Sequence, residues 1–448
     1  MRNSCKFLLN FAIILFIWFS FAGCKTDANY NAGIKIGYPI RLSGTGGIAV
    51  YEGTVYISGW DYYGNGNNYS GCYWIDGVKT TLPKGSSIEM KCGIIVHDGT
   101  VYVYGWYNGN LCYWRNGNKV DLSLHEETSS VIAECIAVQN NNTYLCGSYF
   151  RSSKGIISGS TVCYWINGER TDLYAPDRTY NASTSGFAVN DGAIYTSGHY
   201  QYSDYSNRMG VSYWVNETRV DLPLPEDVYS AYSSGIAVPN DTVYTSGHYR
   251  THSNYTNTAC YWTNEIRTDL SVPEAAHNVS AYTTDIIVVG DSVYVSGYCF
   301  NPYTACYWVD GNRIDLPLPE ESTDVYTYDI SVHDGIVYVT GSYSNSINRG
   351  ESVSPRVPDI SRIPDICVLP AAPPSKACYW ANGIRTDLSI PEGADTRVSG
   401  ITVQNDTVYV SGYYSYGSHL IACYWVNGER IDLTSPEKKQ TGIAHILQ

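Results

Sequence analysis

The chain is short of charge, and of positive charge above all: 28 Lys and Arg stand against 42 Asp and Glu, charged residues make up 16 %, and the formal net charge is −14. A balance of that sign argues against nucleic acid or an anionic membrane face as partner, because phosphate recognition relies on clustered Lys and Arg. Helical periodicity is missing everywhere after the first two dozen residues. The one long apolar run, Phe7 to Ala22, is short for a membrane span. There is no Gly-rich phosphate loop, no zinc-ligand spacing and no nucleophile elbow. No catalytic residue, cofactor or metal ligand is therefore assigned, and the chain is expected not to be an enzyme.

What is present is repetition. The dipeptide Tyr-Trp recurs with a two-residue turn and a basic residue five positions after the Trp: Trp74 with Lys79, Trp114 with Lys119, Trp165 with Arg170, Trp214 with Arg219, Trp262 with Arg267, Trp308 with Arg313, Trp380 with Arg385 and Trp425 with Arg430. Asn-Gly or Asp-Gly between alternating residues is the strongest short signal for a tight β-hairpin. The hairpin register places Trp165 opposite Arg170 and Cys163 opposite Asp172, with the guanidinium expected over the indole. A second hairpin motif alternates with the first and is typified by Ser234 to Gly247; its repeat tyrosines are Tyr56, Tyr102, Tyr144, Tyr195, Tyr244, Tyr294, Tyr338 and Tyr409. Two hairpins per repeat of about 48 residues give four strands, a to d, per unit. Eight such units are the arithmetic of a β-propeller.

Strand chemistry orders each blade. Strand a is small and apolar, as a crowded inner strand should be, while strand d carries Arg-x-Asp-Leu, suited to an exposed edge that resists pairing with other chains. The pattern resembles the β-propeller superfamily in the broad sense, including WD40-like and kelch-like repeats, although the Gly-His, Trp-Asp and double-Gly signatures of those two are absent. The expected fold is all-β: an eight-bladed propeller of four-stranded antiparallel blades over 34–448, with seven or nine blades open. Ile34 to Leu42 or residues 441–446 could supply a closing strand.

The first residues read as an export signal over 1–23, with Arg2 and Lys6 before the apolar run. Its end, Phe21-Ala22-Gly23-Cys24, resembles a bacterial lipoprotein lipobox of the looser spirochaete type. That resemblance implies lipidation at Cys24, a tether over 24–33, contact with the lipid bilayer through the acyl anchor, and a location facing periplasm or cell surface. Of 14 Cys, seven share one repeat position (Cys72, Cys112, Cys163, Cys260, Cys306, Cys378, Cys423). Equivalent positions in neighbouring sheets lie about 10 Å apart, whereas bridged Cα atoms must lie within about 7 Å. These seven therefore read as small buried residues. The candidate disulfides are Cys135 with Cys146 and Cys299 with Cys306.

Tight a–b and c–d turns emerge on one face; the variable b–c loops, including a Pro-rich insertion at 344–376, emerge on the other, where binding function usually resides. The position after the strand-b Ser-Gly holds Trp60, Trp106, His199, His248, Tyr298 and Tyr413, with Ser148 and Ser342 in the remaining blades. The next position holds Tyr107, Tyr149, Tyr200, Tyr249, Tyr343 and Tyr414. Circular closure turns these into an aromatic crown, or else they pack between blades. The expected function is binding or assembly through this face, with an envelope or host protein or a glycan as partner. A glycan hydrolase or lyase at the mouth of the axial channel is the competing reading, as is a purely structural surface protein. One-sided carboxylates or histidines at the channel mouth would favour the enzyme.

Overall fold

A computed structural model describes residues 42–62, 69–88, 93–126, 128–153, 156–177, 179–203, 208–273, 278–320, 322–345, 375–416 and 419–433. The segment expected as a signal, Cys24, the expected tether and nearly all of the Pro-rich insertion lie outside them. Among the described residues the chain is all β-strand and forms eight blades: 42–81, 86–121, 128–173, 179–221, 228–269, 280–316, 322–387 and 395–432. Each blade is an antiparallel meander in the order a, b, c, d. In blade 2 strand a comes in two pieces, Ser86–Ser87 and Ile94–His97.

The tight turns follow from backbone sterics. At the c–d turn of blade 3, Asn167 and Gly168 have φ of 51° and 97°, the pair of positive values that a two-residue hairpin turn needs. This fixes Trp165 opposite Arg170 and Cys163 opposite Asp172. The expected stacking of Arg on Trp is not what forms. The indoles are buried, and in six blades their Nε1–H donates to a backbone carbonyl of the preceding blade's outgoing link: Trp165 to Ser123 at 2.8 Å, Trp214 to Tyr174 at 3.1 Å, Trp262 to Pro223 at 3.0 Å, Trp308 to Ser271 at 2.7 Å, Trp380 to Pro317 at 2.9 Å and Trp425 to Ser389 at 2.8 Å. The Trp thus joins blades, while the Arg pairs with the Asp two residues on, as in Arg170 with Asp172 at 2.9 Å.

The strand-b glycine is explained by the same indole. At Gly297 a Cβ would lie 2.0 Å from the Tyr282 carbonyl oxygen and 2.7 Å from the Trp308 ring. Apolar packing then runs from blade to blade. Ala259, Tyr261 and Leu270 of blade 5 share a core with Val279, Ile286, Val295, Cys306 and Trp308 of blade 6.

In seven blades strand a carries a β-bulge, between Thr45 and Gly47, Ala133 and Cys135, Thr184 and Gly186, Ser233 and Gly235, Thr283 and Asp285, Thr327 and Asp329, and Val398 and Gly400. Several bulged residues carry hydroxyls that bond across to the neighbouring blade: Ser185 with Ser233 at 2.8 Å, Ser234 with Thr283 at 2.6 Å, Thr284 with Thr327 at 3.0 Å, and Ser399 with Thr45 at 3.0 Å. The last of these joins blade 8 to blade 1. The same seam is held by Ala422 N–H donating to Ser43 Oγ at 2.9 Å and by a parallel bridge between Leu42 and Leu420. Among the described residues, blades 1 and 8 each take all four strands from contiguous chain. Of the proposed closing segments only Leu42 falls among the described residues.

The seven repeat cysteines are buried free thiols. Cys135 does face Cys146 in register. Cys299 instead faces Thr304, with Cys306 opposite Gly297, which corrects the expected register for that pair. All four are free thiols.

Candidate functional site: the axial recess

The start of strand a and the end of strand b meet at the end of the propeller away from the a–b turns. There the crown position of each blade faces one strand-a residue: Gly44 with Trp60, Ser87 with Trp106, Ile132 with Ser148, Ser183 with His199, Tyr232 with His248, Tyr282 with Tyr298, Tyr326 with Ser342 and Arg397 with Tyr413. These pairs line the axis. In blades 4 to 7 the rings form a continuous arc, with centroids 5.0 Å apart for His199 and Tyr232, 5.4 Å for Tyr232 and His248, 4.9 Å for His248 and Tyr282, 5.3 Å for Tyr282 and Tyr298, and 5.4 Å for Tyr298 and Tyr326. Tyr326 and Tyr328 keep 41 % and 43 % of their surface exposed although they sit on an innermost strand. The inner strand of blade 7 is therefore open to solvent at this end of the axis.

The sequence reading found His199, His248 and Tyr298 and missed their partners Tyr232, Tyr282 and Tyr326. Hairpin register counted from the a–b turn pairs His248 with Ser233 instead, and the strand-a bulge shifts the partner to Tyr232. Trp60 and Trp106 are half-buried, and a Cβ on Gly44 would lie 2.9 Å from the Trp60 indole. Tyr413 is buried against Arg397.

The second-position tyrosines are not brought to the recess. Tyr149, Tyr200, Tyr249 and Tyr414 are buried and donate to the strand-d carboxylates Asp172, Asp221, Asp269 and Asp432 at 2.9, 3.4, 3.1 and 3.3 Å. Cationic groups cover several of these rings, with Arg267 4.8 Å from Tyr249, Arg430 4.7 Å from Tyr414 and Lys119 4.8 Å from Tyr107. The cation–π contact expected on Trp is made on these tyrosines, whose role is packing.

Burial holds the imidazoles of His199 and His248 down to about 4, so both are neutral at neutral pH and can accept a proton. Ser185 Oγ lies 3.5 Å from His199 Nδ1, while His248 Nδ1 is buried with no hydrogen-bond partner among the described residues. Just past the bulge, where other blades carry Gly47, Cys135, Gly186, Gly235 and Gly400, blades 6 and 7 carry Asp285 and Asp329. The two carboxyls are close enough to influence each other's charge. Asp285 Oδ1 accepts from Ile286 N–H at 2.8 Å, and Asp329 Oδ1 from Ile330 N–H at 2.9 Å. Burial raises both carboxyls, and for Asp285 the charge of Asp329 adds to it. Glycine in blade 5 makes the room: a Cβ on Gly235 would lie 2.7 Å from Asp285 Oδ1.

Elsewhere, Asp61 is buried and bonded to Lys79 at 2.7 Å. His333, Asp334 and Asp406 place possible metal-ligand atoms within 4.8 Å of one another, on the a–b turns at the opposite end, with both carboxylates exposed.

Fold and site define a β-propeller with a polar, aromatic axial recess. No protein-family model matches the chain, and no curated protein sequence matches it. Among solved structures it is similar to a puromycin hydrolase (8 % identity, TM-score 0.45, covering 83 % of this chain and 58 % of that one). It is also similar to the acylaminoacyl peptidase of Pyrococcus horikoshii (10 %, 0.44, 85 % and 58 %) and to a polysaccharide lyase (10 %, 0.39, 73 % and 91 %). The chain thus spans 58 % of the length of each of the first two. Similarity at this level concerns the fold. The expectation that the chain is not an enzyme is corrected to this extent: the solved structures similar to it include peptidases and a polysaccharide lyase.

Proposed function

We propose that the chain is a glycan-cleaving enzyme whose substrate enters the axial recess. The observation that carries this reading is the arc from His199 to Tyr326, in which two neutral imidazoles sit among amphipathic rings. Such rings offer apolar faces and polar tips to a sugar, and histidine is the side chain most often used for acid–base catalysis. Lyase chemistry fits better than hydrolysis. Hydrolysis by paired acids needs carboxyls about 5–9.5 Å apart flanking the scissile bond, whereas Asp285 and Asp329 each accept the next residue's backbone N–H. Export and an acyl tether at Cys24 belong to the same proposal; palmitate incorporation should be lost in Cys24→Ala.

The test is a panel of purified polysaccharides incubated with the mature protein, reading new reducing ends and the ultraviolet absorbance of unsaturated sugars. Cleavage that falls about 100-fold or more in His248→Ala supports the reading, since positioned acid–base groups contribute about 10²–10⁴-fold. Binding without cleavage across the panel, or full activity in the variant, contradicts it.

A further inference from the structure

Blade 3 departs from the repeat at two positions that meet. Just past the strand-a bulge, the register pairs Gly47 with Ser58, Gly186 with Ser197, Gly235 with Ser246, Asp285 with Ser296, Asp329 with Thr340 and Gly400 with Ser411 in the other bulged blades. In blade 3 the same two positions are Cys135 and Cys146. Cysteine therefore enters both sides of this pair in one blade and neither side in the others.

Geometry restricts what Cys146 can reach. Residues directly opposite on antiparallel strands have Cα atoms about 4.5–5.5 Å apart, inside the span of about 4.4–6.8 Å that a disulfide bridges. Cys163 is on the other face of the sheet: it faces Gly147, the neighbour of Cys146, and successive strand residues point to opposite faces. Packing agrees, since Cys146 belongs to the apolar core shared with blade 4, against which Cys135 packs, and Cys163 belongs to the core shared with blade 2. The other cysteine pair is diagonal, with Cys299 facing Thr304 and Cys306 facing Gly297, and diagonal neighbours lie about 7–8 Å apart. Cys146 is buried, whereas Cys135 is partly exposed and near enough to Asp285 of blade 6 for its charge to act on that carboxyl. Burial raises the Cys146 thiol, and Cys135 beside it adds to the shift.

We propose that Cys135 and Cys146, free thiols in this structure, form a cross-strand disulfide by exchange with a disulfide-carrying oxidant. Cys135, the accessible thiol, loses its proton and attacks one sulfur of the oxidant; the oxidant's S–S bond breaks, and its other sulfur leaves and takes up the proton. Cys146 then loses its proton and attacks the Cys135 sulfur, which releases the second half of the oxidant as a thiol. One S–S bond is lost and one is gained, and the oxidant carries away two electrons and two protons. The bond lies just behind Ile132 and Ser148, the pair with which blade 3 lines the axis, and so ties the two strands of that wall together. It goes beyond the glycan-cleaving reading and does not depend on it.

The experiment equilibrates the mature protein with a series of reduced and oxidised glutathione ratios. Each sample is quenched in acid, alkylated in denaturant without reduction and digested for mass spectrometry, and melting is followed in parallel. The expected result is a linked pair of peptides carrying Cys135 and Cys146 that appears as the series becomes oxidising, while Cys163, Cys299 and Cys306 stay open to alkylation. The oxidised protein should melt about 3–10 °C above the reduced one. Cys135→Gly combined with Cys146→Ser installs the pair found in blades 1, 4, 5 and 8, and should remove the redox dependence of melting. The mass measurement is made on the parent chain and stands whether or not that variant folds. Alkylation of both cysteines across the whole series, glutathione retained on Cys135, or a link from Cys146 to any other cysteine overturns the proposal. So does redox-dependent melting that survives in the double variant.

Discussion

At the scale of single residues, the repeat is most instructive where it is broken. Blade 1 has Asp61 where most blades have Tyr, and Thr81 where they have the strand-d Asp, so the acid has crossed from strand d to strand b. Lys79 follows it, and the pair is buried at 2.7 Å. Removing one partner leaves a buried charge: Asp61→Ala should cost about 3–5 kcal/mol, while Asp61→Ala with Lys79→Met should recover most of it. Urea midpoints of the two variants check this. Asp285 and Asp329 replace glycine or cysteine and titrate in the opposite sense to ordinary carboxylates. Their folded pKa values are raised, so the stability they contribute is present at acid pH and is lost as pH rises through those values. Asp285→Asn should therefore gain melting temperature over the parent as pH rises from about 5 to about 8. His199 and His248 act in reverse: with folded values held down to about 4, their contribution is present above the ordinary 6.5 and is lost as pH falls toward 4. His248→Gln should flatten that acid limb.

At the scale of strands and hairpins, turn chemistry and the two-residue period made strands c and d legible down to the pairing of Trp165 with Arg170. Legibility ended at the bulge. One extra residue in strand a shifts the alternation, so a strand read as small and apolar from its Ile-Ala-Val half also places Tyr232, Tyr282, Tyr326 and the two aspartates at the axis. The role of the indole was hidden for a related reason: its acceptor lies in the previous repeat, beyond the reach of local pattern. Gly297→Ala tests this account of strand b. Its Cβ would meet the Tyr282 carbonyl and the Trp308 ring together, and a loss of about 1–3 kcal/mol or more in unfolding free energy is expected. Gly53→Ala, with nothing within 4 Å of its Cβ but φ of 79°, should cost about 1 kcal/mol.

At the scale of the whole molecule, eight similar blades build a ring whose interior is not symmetric. The a–b turns vary little around the ring, while the recess changes from glycine and indole in blade 1 to imidazoles in blades 4 and 5, phenols in blades 6 and 7, and a guanidinium in blade 8. Repetition in the sequence disclosed the number of blades; only closure of the ring set these departures from the repeat against one another across an axis. The central claim is that sugar chemistry happens in that recess, and a crystal of His248→Ala soaked with an oligosaccharide tests it most directly. The account predicts sugar density inside the arc from His199 to Tyr326. Density confined to the outer edges of the blades, with the recess holding solvent alone, would contradict it.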